Sequence, residues 1–140
     1  MMKKRIFIVT LLLICSLSFA FPASAAIQAS DQIIAYEINV LPASESRIAI
    51  EFSVTGAGRM AVIGAKSITI YEKNGLYWSY ADGCTQDDEG MTRTNALKHS
   101  NTIYFDGESG KEYRIHVTVF AEDSSGESDS RSESFYVTAE

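Results

Sequence analysis

From residue 30 onward the chain alternates. Ile34, Tyr36, Ile38 and Val40 are separated by Ala35, Glu37 and Asn39. After a break at Pro42-Ala43-Ser44 the period returns: Ile48, Ile50, Phe52 and Val54 flank Ala49, Glu51 and Ser53. A period of two marks strands with one face on a core and the other toward water. Gly56-Ala57-Gly58 is expected to end the second strand. The less regular stretch Arg59 to Gly64 then offers Met60, Val62 and Ile63 as plugs for one end of the core. Ile68 and Ile70 resume the pattern. Asn74-Gly75 is the strongest hairpin signal, because both residues tolerate the positive φ of a type I′ turn. Leu76 to Ala81 returns as the partner strand with Tyr77, Trp78 and Tyr80. Asp82 to Asn101 reads as a polar connection, with Ala96-Leu97-Lys98 as a helical turn at most. Thr102 to Phe105 is a further strand, and Asp106 to Gly110 a turn. Tyr113, Ile115, Val117 and Val119 alternate with Arg114, His116 and Thr118. Glu122 to Ser130 reads as a polar loop, and Phe135, Tyr136 and Val137 hold the last strand.

About seven short strands, separated by turns and without an amphipathic helix, predict an all-β antiparallel Greek-key β-sandwich. The economical division is one domain over 33–140, preceded by a short lead over 26–32.

The first 25 residues follow another logic. Lys3, Lys4 and Arg5 precede an apolar run from Ile6 to Phe21. Pro22 breaks it, and Ala23-Ser24-Ala25 puts small residues, Ala23 and Ala25, at the −3 and −1 positions. This is the pattern of a secretory signal peptide cleaved before Ala26. The run is short for a membrane span of roughly 20 residues. Lipidation at Cys15 would need a small residue before it, and Ile14 stands there. No second apolar stretch is long enough to span a membrane. The expected product is secreted and extracellular.

Export changes the charge balance. The whole chain has 12 Lys and Arg against 18 Asp and Glu, a net charge of −6. Cleavage removes three basic residues and no acidic ones, which leaves −9. That balance argues against nucleic acid as a partner, since phosphate contacts need clustered Lys and Arg. Of two cysteines only Cys84 remains, so the fold must hold by packing rather than by an internal disulfide.

Two resemblances follow from particular segments. Gly110-Lys111-Glu112-Tyr113 followed by Ile115, Val117 and Val119 resembles strand F of fibronectin type III and immunoglobulin-like domains. That resemblance implies a corner hydrogen bond from Tyr113. Phe52 to Met60, Ile63-Gly64-Ala65 and Ile68 to Lys73 resemble small secreted single-domain proteins of Gram-positive, clostridia-type bacteria with no assigned function. The resemblance implies fold and export, and brings no catalytic residues. The cysteine pair of antibody domains is missing.

Candidate chemistry is sparse. No Gly-x-Ser-x-Gly elbow occurs, and His99 and His116 are the only histidines. A Cys84–His99 pair within one connection is conceivable. However, the acidic neighbours Asp82, Asp87, Asp88 and Glu89 disfavour a thiolate. Alternation of loops between the ends of a sandwich would bring Asp82, Asp87 and Asp88 together with Glu122 and Asp123, a candidate calcium site. No other cofactor is expected. Tyr71, Tyr77, Trp78 and Tyr80 gather on one hairpin, with Tyr104 and Tyr136 outward elsewhere. Trp78 is expected in the core, with the tyrosines along the sheet. If exposed, these aromatics would suit a sugar ligand. The resulting expectation is a monomeric, non-enzymatic protein. It would bind an extracellular protein or other ligand through the loops Gly56–Gly64, Asp82–Asn101 and Glu122–Ser130. The alternative is a carbohydrate-binding module, and a small hydrolase using His99 or His116 is the third reading.

Overall fold

The computed structural model describes residues 31–140. The expected signal peptide, with its expected cleavage residues Ala23 and Ala25, and all but the last two residues of the 26–32 lead lie outside the described residues. The rest is all-β and antiparallel: β1 (Ile33–Pro42), β2 (Arg47–Asn74), β3 (Tyr77–Thr85), β4 (Thr92–Asp106), β5 (Glu112–Glu122) and β6 (Ser128–Thr138). They form one continuous six-stranded sheet, curled into a half-barrel. Among the described residues no helix is long and apolar enough to cross a membrane.

The strand count falls to six because Gly56-Ala57-Gly58 does not end a strand. β2 runs on for 28 residues and changes neighbours along its length. Its first half, up to Gly56, pairs with β1 on one edge and β4 on the other. Its second half pairs with β5 and β3. Val62, Ile63 and Gly64 pair with β4 and β5 at once. β3 and β4 therefore follow one another down a single edge of β2, parted only by the turn around Gln86 to Met91.

β2 could not serve both halves if it were straight. Apart from Ala49, its buried hydrophobic positions are even from Ile48 to Met60, odd at Ile63 and Ala65, and even again at Ile68 and Ile70. A register irregularity against β4 between Thr55 and Met60 precedes the first switch, and one against β5 between Ala65 and Ser67 coincides with the second. Bulges of this kind bend a strand and increase its twist. Opposite the first irregularity Asn95 adopts φ +49°, and its carbonyl accepts a hydrogen bond from Arg59 Nη1 at 2.6 Å. The bend carries the ends of β2 toward each other. Phe105, paired with Ile48, packs edge-on against Tyr113, paired with Glu72, at 5.1 Å between ring centroids.

The core fills the inside of this curl. Ile48, Ile50, Phe52 and Val54 meet Ile68, Ile115, Val117 and Val119 there, with Met91 from the turn. β1 departs from its expected face at one end. Ile33 is buried and Ile34 is exposed, because a register irregularity separates Ile33 from Ala35. β6 begins seven residues before Phe135, since β5 offers a full-length edge to pair with. The Glu122–Ser130 loop shrinks accordingly to a turn around Asp123 to Glu127. Ala96-Leu97-Lys98 is strand, held opposite Met60 and Thr55.

Candidate binding face

The outward side of β3, β2, β5 and β6 carries the molecule's most distinctive surface. Because Tyr113, Ile115, Val117 and Val119 take the core side of β5, Arg114, His116 and Thr118 must point outward. The same alternation turns Tyr71 and Lys73 of β2 outward. Registers then align the side chains. Tyr80 pairs with Tyr71, Tyr71 with Arg114, and Arg114 with Tyr136. Four side chains from four strands make one row, about 14 Å long at the usual inter-strand spacing.

Trp78, paired with Lys73 one step nearer the hairpin tip, packs onto this row. Its ring centroid lies 5.7 Å from that of Tyr136. The Arg114 guanidinium carbon sits 4.7 Å from the Tyr71 ring centroid and 5.2 Å from that of Trp78. Tyr71 and Tyr80 meet edge to face at 6.4 Å. Lys73 Nζ reaches 5.9 Å from the Trp78 centroid while also pairing with Glu112 at 3.3 Å. Tyr80 and Tyr136 are about two-thirds exposed. Trp78 is half-buried by these neighbours and lies outside the core, which corrects the expectation from sequence. Its placement is set by strand parity: Trp78 and Tyr80 alternate with Ser79 and Ala81, and it is Ala81 that packs against the core.

The hairpin turn also differs from its sequence reading. Asn74 and Tyr77 close it, so the central residues are Gly75 and Leu76. Only Gly75 has positive φ, at +63°. That is the pattern of a type II′ turn rather than type I′. A type I′ turn at Asn74-Gly75 would put Trp78 opposite Tyr71. The observed turn slides β3 by two residues, keeps the same faces, and brings Tyr80 to that position.

Beyond the aromatic row the outward face becomes polar. His116 Nδ1 meets Ser134 Oγ at 2.8 Å, and Thr118 Oγ1 meets Ser132 Oγ at the same distance. The outward face of the other half of the sheet is also mostly polar, with Glu37, Asn39, Glu51 and Ser53, and with Ser53 Oγ accepting from Ser100 Oγ. Tyr104 is exposed there beside Arg47.

The other candidates are dispersed. Asp82 lies opposite Ile70 and Glu122 opposite Val62, eight residues apart on β2. At strand rise this is about 26 Å. Asp87 and Asp88 hang from the opposite edge of β2 to Asp123. Among the described residues no three Asp, Glu, His or Cys side chains come together to hold a metal ion. Each loop instead uses its carboxylates internally. Asp88 accepts from the Thr85 backbone N–H at 2.7 Å, and Asp82 from that of Gly83. Asp123 accepts from Ser125 Oγ and from the backbone of Ser125 and Glu127. The Ser125 hydroxyl in particular holds the Asp123 carboxyl below the usual range.

His99 is not in a loop. It sits in β4, half-buried against Phe52, with Nε2 2.8 Å from the Gly90 carbonyl. Asn101 Nδ2 donates to the same carbonyl at 2.9 Å. The two side chains thereby fasten the 86–91 turn onto β4. Cys84 lies on β3 opposite Ile68, packed against the edge of the core. Burial pushes its thiol pKa up, and Asp88 and Asp82 push it the same way. A thiolate nucleophile is therefore disfavoured. Tyr113 is fully buried, and its hydroxyl accepts the Glu108 N–H at 2.8 Å across the 106–110 turn.

Sequence reasoning gathered the hairpin aromatics but missed Arg114, whose place among them depends on β5 pairing with β2. In comparison with known proteins, no family model matches the chain and no curated protein is significantly similar to it.

Proposed function

We propose that this chain is an exported, non-enzymatic binding module, and that its ligand is a glycan laid across the outward face of β3, β2, β5 and β6. The carrying observation is the in-register row Tyr80, Tyr71, Arg114 and Tyr136, with Trp78 packed onto it. Aromatic rings present apolar faces with polar tips, suited to the C–H faces and hydroxyls of sugars. The outward face of β1, the first half of β2 and β4 carries no comparable gathering of rings: Tyr104 and Leu41 are exposed there among Glu37, Asn39, Glu51 and Ser53. Exposed apolar clusters on soluble proteins commonly mark binding surfaces.

Export is supported by the leader pattern of residues 1–25. We read the curled sheet as a variant of the fibronectin-type sandwich, on the strength of the Tyr113 hydrogen bond and the antiparallel pairing of its strands. The loop-end reading has less support, because Gly56–Gly64 is part of β2 and most of Asp82–Asn101 is strand.

Glycan-array binding followed by calorimetry tests the proposal. The protein should retain at least one polysaccharide class. Trp78→Ala or Tyr136→Ala should weaken that binding about ten-fold or more, since losing one stacked ring costs on the order of 1–3 kcal/mol. Thermal melts of both variants should stay near the parent's. Absence of binding to every glycan would overturn the reading.

A further inference from the structure

We infer that the glycan bears carboxylate groups and that Arg114 is the residue that selects for them. This rests on the reading of the face as a glycan platform, and names the ligand class for it. Arg114 stands at the centre of the row, with Tyr71 on one strand beside it and Tyr136 on the other. Its guanidinium is held by cation–π contact with Tyr71 and Trp78. Such contact attracts the charge without consuming any of the five N–H donors of an arginine. Among the described residues no hydrogen bond or ion pair uses those donors.

The lack of a partner is informative in this chain. Acids outnumber bases two to one after residue 25. The nearby carboxylates are nonetheless committed elsewhere. Glu112 pairs with Lys73 at 3.3 Å, and Glu72 with Lys111 at 3.2 Å and Asn74 at 3.3 Å. A half-buried guanidinium fixed in orientation and free of internal acids is matched in charge by an external anion. A planar carboxylate can accept two parallel N–H bonds from it.

The neighbouring rings narrow the anion further. They require a ring with an apolar C–H face to stack upon, which a polyol-phosphate chain lacks. A pyranose polymer with carboxylates along its length, a polyuronate, meets both requirements: rings for Tyr71, Trp78, Tyr80 and Tyr136, and an acid for Arg114.

Calorimetry on the purified protein separates the possibilities. The probes are an oligogalacturonate, the same oligomer fully methyl-esterified, and a phosphate-bearing mannan. The acid should bind about ten-fold or more tighter than its ester, and its affinity should fall with added salt. Arg114→Gln should remove the preference, so that acid and ester bind that variant equally. Arg114→Lys should restore only part of it, because lysine lacks the bidentate fork. Equal binding of acid and ester would overturn the carboxylate assignment and leave the glycan reading standing. Preference for the phosphorylated mannan would overturn the commitment to uronate. Failure to bind these probes or any glycan would overturn both readings. A variant melt matching the parent's confirms that any loss is local.

Discussion

Single residues in this fold are constrained chiefly where β2 bends. Gly64 has φ +149°, and a Cβ added there would lie 2.2 Å from the Met91 carbonyl oxygen and 2.9 Å from Thr92 Cα. Both contacts are backbone, so neither can swing aside. The Met91 carbonyl is itself fixed by accepting the Ala65 N–H at 2.8 Å. Gly64→Ala should therefore destabilise the protein by about 2–4 kcal/mol, measured by chemical denaturation. A loss under about 0.5 kcal/mol would mean that the bend can relax. Gly58, in the same bend, has nothing within 4 Å of such a Cβ, and Gly58→Ala serves as the mild control. The sequence reading put both glycines in the one stretch Gly56–Gly64, and only their surroundings separate them.

Elements here are defined by their pairings more than by their own composition. β6 is rich in serine and charge, and it is a strand because β5 presents an edge for 11 residues. β4 contains a segment with helical character by composition, yet β2 draws it into the sheet. The β5–β6 connection is held by one side chain, Asp123, whose pKa is lowered by the Ser125 hydroxyl first and by backbone N–H groups after it. A carboxylate with a depressed native pKa stabilises the fold above its unfolded pKa, and this contribution is lost as pH falls through the native value. The melting-temperature gap between the parent and Asp123→Ala should thus be widest above about pH 4 and close at lower pH. A gap that stays constant down to pH 2 would show that the charge plays no part in the turn. The same internal use of Asp123 explains why acidic spacing resembled a metal site in the sequence: turns and ion sites draw on the same residues.

At the scale of the molecule, β2 makes two sheet halves into one unit. Its first half holds β1 and β4, its second holds β3 and β5, and the side chains of both halves meet in a single core. Unfolding should therefore be one cooperative transition. Phe52→Ala in the first half and Ile115→Ala in the second should each cost about 2–5 kcal/mol. Each should lower the melting temperature reported by Trp78 fluorescence and by far-UV circular dichroism together. Two separated transitions would contradict the shared core. No internal disulfide reinforces the described domain, where Cys84 is a free cysteine, so this packing carries the stability.

What the sequence determined by itself is the chain's periodicity and its consequences. Alternation specified strands over helices. It named Tyr113, Ile115, Val117 and Val119 as inward and Tyr104 and Tyr136 as outward, because side-chain direction in a strand is a local property. The tertiary structure decided whatever depends on neighbours. The bulges that bend β2 leave only a faint mark in sequence, so a continuous strand read as two. The choice of Gly75-Leu76 as the turn's centre set β3 two residues along. The convergence of Arg114, 34 residues beyond Tyr80, on the hairpin's aromatic side chains required β5 to pair with β2. Register is a relation between strands, fixed by turn geometry and by burial of a common face, and no single strand contains it.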